Sequence, residues 1–436
     1  MAQAVAHQMT TMDSQGKVDI PKLRICMLLS VAFLGQDVTI PLDKANWVAK
    51  MSHLADFGHQ VTWIVGVRPE AQDQVRALFP DKVRVCITPQ IRYFPGAFLP
   101  SRMLNTVPNT IKRMRAVLRI FREAECNIIL VRQNTFDRII TACVKRKYDV
   151  PFILWPPESL EMQGQRARIA SNKPSFLSSP LARFNKFVLL RLLHQADLVL
   201  VTSKVQKERL ADWGIDGAKM MPLPSGVDVE AFSPRDGSAI RKRYTLSDSK
   251  VVIYLGIMTE QRKLGMLIRA FSQVKRHVPD AKLLMVGDGA DRANLESLAW
   301  ELRLSEDILF PGRVPYGDVP DFIAAADVTL VAVPPLSFYK MGSPLKLFEY
   351  MAMAKPVVAT EEIPEHREVL EQSGGGILVP YASEAFASAM IKLLGSPETA
   401  AEMGRKGRDW VVKNRSDEIL ARQMEKACLK LLIGRQ

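Results

Sequence analysis

Ser343-Pro344-Leu345-Lys346-Leu347-Phe348-Glu349-Tyr350-Met351-Ala352, followed by Lys355-Pro356-Val357-Val358-Ala359, reads as a proline-opened helix with a buried strand after it. Pro344 falls near the first turn, where its missing N–H costs nothing. Around Ser343, Pro344 and Leu345 the backbone N–H groups are free and the helix dipole is positive, which favours a phosphate. Lys346 adds a cation near the same end. Glu349 lies about one turn further in, where a carboxylate can accept hydrogen bonds from both hydroxyls of a ribose. Phosphate at the tip and ribose beside it describe a nucleotide site. The same spacing also fits a capped amphipathic helix that does no more than bury Leu347, Phe348 and Met351.

Outward from this stretch, apolar runs alternate with longer amphipathic segments. Downstream of the middle, strands are expected at 251–255, 282–286, 308–310, 328–331 and 356–359, with helices at 264–276, 290–302 and 345–353. Upstream, strands are expected at 23–30, 60–65, 83–87, 128–131, 152–155 and 198–202, with helices such as 44–57 and 137–147. Strands separated by helices imply parallel sheets with crossover helices. Pro222, Pro224, Gly226 and Pro234 crowd the stretch 221–234, as in an interdomain linker. The expected division is a loose tail (1–19), a first α/β domain (20–228), a second (229–410) and a C-terminal helix (411–436) able to cross back onto the first. A single helical pattern is expected over 397–432. Two such domains in tandem place a ligand crevice at the carboxyl ends of both sheets.

A chain of 436 residues, 47% hydrophobic and 24% charged, suits two such domains and excludes a disordered chain or a disulfide scaffold. Its five cysteines, Cys26, Cys86, Cys126, Cys143 and Cys428, are scattered and form no C-x-x-C pair, which speaks for thiols in a reducing compartment. The early apolar run 25–34 falls short of the roughly 20 residues a membrane span needs. It reads as a first strand rather than a signal-peptide core.

The net charge is +13, and residues 1–230 carry most of it, with 31 Lys and Arg against 20 Asp and Glu. The excess peaks in an expected helix over 109–122 bearing Lys112, Arg113, Arg115, Arg119 and Arg122, with Val117, Leu118 and Phe121 on its other side. It reads either as a solvated face or as a surface for anionic lipid or a phosphorylated acceptor. No nucleic-acid module accompanies it, so nucleic acid is not an expected partner.

The decisive stretch resembles the donor-site helix of the retaining GT-B glycosyltransferases, the glycosyl transferase group 1 type. One variant of their Glu-x7-Glu motif reads S-P-L-K-L-F-E-Y-M-A. The second Glu of that motif, a ribose ligand in the family, maps onto Glu349. The first, which touches sugar hydroxyls, falls on Met341. Pro224-Ser225-Gly226-Val227-Asp228 with Phe232 and Pro234 resembles the family's interdomain segment. Ala196-Asp197-Leu198-Val199 with Thr202-Ser203 resembles the end of its first domain, and Gly58-His59-x-Val61 a turn before its second strand. The resemblance implies two Rossmann-like domains facing a cleft, acceptor on the first and nucleotide-sugar donor on the second.

After Tyr254-Leu255-Gly256 many relatives place an Arg directly and a Lys six residues on. Here Ile257 and Arg262 stand there, with Lys263 adjacent. A fixed cation at this place neutralises a donor diphosphate and the charge growing on a departing nucleotide. Val286-Gly287-Asp288-Gly289 is a strand with a tight glycine turn. It fails as a dinucleotide fingerprint because Arg292 takes the third glycine position. In the resembled family this turn lets the donor approach the backbone. Phe310-Pro311-Gly312-Arg313-Val314 resembles the segment edging the base.

Arg132 and Glu158 follow expected strand ends and read either as acceptor-side residues or as a plain structural salt link; Glu158 is a catalytic candidate with Arg262 and Lys263, which also fit ordinary surface charges in a loop. No D-x-D triplet, H-E-x-x-H or G-x-S-x-G occurs, so no metal and no cofactor beyond the co-substrate are expected. The expectation is a retaining, metal-independent transfer of a hexosyl group to a glycan, lipid-linked or small-molecule acceptor, in the cytoplasm and peripheral to the inner membrane face. The alternative is a GT-B-shaped binding or regulatory protein without catalysis.

Overall fold

The structure, a computed structural model, describes residues 21–30, 42–67, 72–76, 79–89, 99–132, 135–156 and 180–434. Two all-parallel sheets carry it. The first holds β1 (Arg24–Ser30), β2 (Gln60–Val67), β3 (Arg84–Pro89), β4 (Ile128–Val131), β5 (Phe152–Leu154), β6 (Leu198–Val201) and β7 (Met220–Pro222), in the order β3-β2-β1-β4-β5-β6-β7. The second holds β8 (Lys250–Leu255), β9 (Ala281–Val286), β10 (Ile308–Gly312), β11 (Val328–Val331), β12 (Val357–Thr360) and β13 (Gly376–Val379), in the order β10-β9-β8-β11-β12-β13. Strand order reverses between β1 and β4 and again between β8 and β11, and such switch points open a crevice beyond the strand ends.

The central strands read as apolar runs because helices cover both sheet faces. In the second domain Leu267, Phe271 and Phe386 fill one face, and Phe322, Phe348 and Met351 the other. Two short strands were not legible in the sequence. β7 lies within the proline-rich linker stretch, and β13 follows Gly374 and Gly375.

The expected single helix over 397–432 is two helices, Pro397–Asn414 and Asp417–Ile433. They break at Arg415–Ser416, where Val227 N–H donates to the Arg415 carbonyl (2.9 Å) and Asp417 N–H to the Val227 carbonyl (3.0 Å). The Ser416 hydroxyl then caps the last helix by accepting from Ile419 N–H. That helix returns to the first domain, where Leu420, Met424 and Cys428 join Leu23, Met51 and Leu54 in one core. Lys50 Nζ meets Asp417 Oδ1 at 3.0 Å in full burial, and His59 Nε2 meets Glu425 Oε1 at 2.7 Å. His59 thereby has a tethering place in the fold.

The basic helix spans Leu99–Glu123. Val117 and Phe121 are buried, whereas Lys112, Arg115, Arg119 and Arg122 are exposed. Arg113 departs from the expected basic face. It is fully buried, with Nε 2.6 Å from Asp137 Oδ1 and Nη2 3.2 Å from Oδ2, and it also donates to the Thr88 hydroxyl. The reason is angular: 112, 115, 119 and 122 recur at three- and four-residue steps along one face, and 113 does not.

Candidate functional site

The carboxyl edge of the second sheet is built from backbone. Gly256 follows β8, Gly287 and Gly289 follow β9, and Gly312 ends β10. Gly256 N–H donates to Val286 O and Gly287 N–H to Gly312 O, both at 2.9 Å. A Cβ on Gly287 would lie 2.0 Å from the Gly256 carbonyl oxygen, so only glycine permits this approach. The result is a side-chain-free floor beneath the helix Leu345–Ala352, with Pro344 extended at its cap.

Lys346 leans from that helix over Tyr254, its ammonium 4.0 Å from the ring centroid. A Cβ on Gly256 would stand 2.7 Å from the same nitrogen, so the ammonium lies directly against the floor. Burial, and then the charge of Arg262, hold the Lys346 pKa well below the usual lysine range. Arg262 stacks on Tyr339, 4.4 Å from its centroid. The Tyr381 hydroxyl is within donating distance of the carbonyls of Arg262 (2.9 Å) and Lys263 (3.1 Å), fixing the turn. Lys263 is exposed and left-handed at φ 48°. Two cations, a ring system and an N-terminus thus gather over one glycine floor, an arrangement suited to a diphosphate.

Glu349 is 5% exposed, and burial raises its pKa to about 7. Tyr316, in the turn after β10, donates its hydroxyl to Glu349 Oε1 at 2.9 Å. Arg313 is exposed and Val314 half-buried on the segment leading to that turn. The expected donor residues Gly256, Gly287, Gly289, Ser343, Lys346 and Glu349 therefore surround one edge of one sheet.

The tyrosines were missed. Tyr254, Tyr316, Tyr339, Tyr350 and Tyr381 all line or back this edge, and the chain has only eight. Their concentration beside the glycine turns and the Ser343-Pro344 stretch was the available signal.

The site abuts the first domain. The Ser203 hydroxyl donates to the Met341 carbonyl at 2.9 Å, and Met341 Sδ lies 3.9 Å from Arg209 Nη1. Met341 is therefore a domain contact, 2% exposed. Ser225 donates twice to Ser343 across the same seam, from its N–H to the Ser343 hydroxyl (3.1 Å) and from its hydroxyl to the Ser343 carbonyl (2.7 Å). The Ser343 hydroxyl also reaches Glu365 Oε1 at 3.2 Å, which Arg415 engages at 3.1 Å. Arg132 is buried just past β4, its guanidinium 5.3 Å from the Trp155 ring centroid. Glu158 lies outside the described residues.

The family model "Glycosyl transferases group 1" matches residues 237–410, and "Glycosyltransferase Family 4" matches 50–231. A GDP-mannose-dependent alpha-(1-6)-phosphatidylinositol monomannoside mannosyltransferase of Mycolicibacterium smegmatis is 31% identical over 257 residues, 58% of this chain and 67% of that protein. The chain belongs to the group 1 glycosyltransferases. Among solved structures, a sucrose-phosphate synthase of Thermosynechococcus elongatus superposes with a TM-score of 0.68 at 21% identity, covering 94% of this chain and 99% of the other. Anabaena Alr3699/HepE, solved in complex with UDP, gives 0.67 at 15% identity, covering 92% and 98%. Both likenesses concern the fold, and they make this group 1 glycosyltransferase a GT-B protein: two facing parallel-sheet domains with a cleft between.

Proposed function

We propose that this glycosyltransferase moves a hexosyl group from a nucleoside diphosphate sugar to a hydroxyl of a lipid-linked glycan or glycolipid, with retention of configuration and without a metal ion. The observation that carries the donor side is the helix Leu345–Ala352, whose Lys346 ammonium lies against the glycine floor and whose Glu349 accepts from Tyr316 in the turn after β10. The diphosphate lies between the N-terminus of that helix, Lys346 and Arg262, and Lys263 supplies a third, exposed charge. Glu349 accepts the ribose hydroxyls. As the bond to the sugar breaks, negative charge grows on the departing phosphate, and fixed cations in a site shielded from water stabilise it. The leaving phosphate is also the base nearest the incoming hydroxyl, so same-face attack needs no enzymic nucleophile. The protein contributes orientation and charge.

The acceptor belongs on the first domain, beside Arg132. The mannosyltransferase named above carries GDP-mannose and phosphatidylinositol monomannoside in its name, so these are the first pair to test. Among the described residues no helix is long and apolar enough to cross a membrane. Attachment to an anionic leaflet is instead assigned to Lys112, Arg115, Arg119 and Arg122, which share one exposed face, beside Ile111 at 40% exposure.

Two observations favour a second reading, a donor-binding protein without turnover. Ile257, 55% exposed, stands where relatives carry an Arg, and Met341 faces the first domain instead of a sugar. Incubation with UDP-, GDP- and ADP-sugars, with and without phosphatidylinositol mannoside, separates the two. Acceptor-dependent nucleoside diphosphate release supports transfer, and binding without release supports the second reading.

A further inference from the structure

Tyr316 reaches Glu349 from outside its helix. Its ring rests on Phe232 of the interdomain segment, centroids 5.5 Å apart, and its hydroxyl donates to Glu349 Oε1 at 2.9 Å. Phe232 is 1% exposed and its carbonyl accepts from Arg408, so the platform under Tyr316 is fixed. A carboxylate offers about four lone-pair directions, and this bond to Oε1 takes one of them.

We propose that Tyr316 is the positioning residue of the nucleotide site, orienting the Glu349 carboxylate and keeping it ionised for the ribose hydroxyls. The proposal rests on Glu349 being the ribose ligand. A buried carboxylate beside an apolar helix face tends to take up a proton and then loses acceptor capacity. Two neighbours oppose that tendency at Glu349: the Tyr316 hydroxyl first, then the Lys346 charge on its own helix. Burial and Glu349 together hold the Tyr316 hydroxyl protonated, with Asp417 and Asp228 acting in the same direction. Tyr316 is therefore a permanent donor at physiological pH. Arg262 acts on Lys346 and so bears on Glu349 at one remove. With Glu349 titrating at about 7, loss of its strongest partner moves the titration into the alkaline range.

The test is calorimetric titration of the full-length protein with UDP and with GDP between pH 6 and 8.5, for the native chain, Tyr316→Phe and Glu349→Gln. Tyr316→Phe keeps the ring on Phe232 and removes one oxygen. The expected result is about fivefold weaker binding at pH 7, with the pH midpoint of binding about one unit higher, so that the gap narrows toward pH 8.5. Titration of the ligand phosphate is common to all proteins and cancels in the comparison. In a Glu349→Gln background, Tyr316→Phe should not move the pH profile. A loss of equal size at every pH, or an unchanged midpoint, overturns the proposal while leaving Glu349 as ribose ligand. Unchanged binding in Glu349→Gln and in Glu349→Ala overturns the ribose reading itself.

Discussion

Arg113 and Asp137 form a fork-to-fork ion pair with both side chains fully buried, between the helix Leu99–Glu123 and the helix Thr135–Tyr148. Removing one partner strands a charge in the core, which costs about 3–5 kcal/mol. Arg113→Ala should lower unfolding stability by that amount in urea titrations, and Arg115→Ala by less than about 0.5 kcal/mol. Similar small losses for both would place Arg113 back on the surface.

Glu349 is expected to act in opposite directions on stability and on binding. Its folded pKa of about 7 lies above its ordinary value of 4.5. The native state therefore holds its proton where the unfolded state has released it, and stability falls as pH rises through that window. Glu349→Gln removes the titration and still accepts from Tyr316. In nucleotide-free protein at pH 8 it should gain about 2–3 kcal/mol, with little gain near pH 4.5. Glu349→Ala should weaken nucleoside diphosphate binding by about 1.5–3 kcal/mol. Thermal unfolding and calorimetry on the same samples check both statements, and a glutamine variant less stable at pH 8 contradicts the first.

Arg262 and Lys263 are expected to act mainly on the departing nucleotide. The double replacement Arg262→Ala/Lys263→Ala should depress kcat more than it raises the donor KM, because leaving-group charge is largest in the transition state. A rise in KM at normal kcat would assign both to docking alone.

The exposed face carrying Lys112, Arg115, Arg119 and Arg122 should hold the protein on anionic vesicles at low salt. Each cation near such a surface contributes about 1 kcal/mol, and screening tightens from about 10 Å at 0.1 M to about 3 Å at 1 M salt. Co-sedimentation should fall with salt and with replacement of these four by Gln, while Arg113 is left intact to preserve the fold. Equal binding to neutral vesicles would make this face an ordinary solvated surface.

Much of the proposed donor site was legible because it is local. Pro344, Lys346 and Glu349 share one helix, and Gly256 and Gly287 end strands whose apolar runs are plain in the sequence. What escaped reading is set by distance along the chain. Tyr316 meets Glu349 across 33 residues, and Tyr381 meets Arg262 across 119. Neither pairing has a period or spacing to betray it. Arg113 was misplaced because a basic run reads as surface until its buried partner Asp137, 24 residues on, is seen. The return of the last helix to the first domain was anticipated, but the break at Ser416 depends on a backbone bridge to Val227.

Nucleoside diphosphate release from a panel of nucleotide sugars, with GDP-mannose and phosphatidylinositol mannoside among the pairs, tests the central claim most directly. It is run in EDTA, for the native protein and Glu349→Ala. Acceptor-stimulated release that survives chelation and collapses in Glu349→Ala is the predicted result. Release restored only by Mg²⁺ or Mn²⁺ would contradict metal-independent transfer. Nucleotide binding without release from any donor, in any acceptor's presence, would contradict transfer itself.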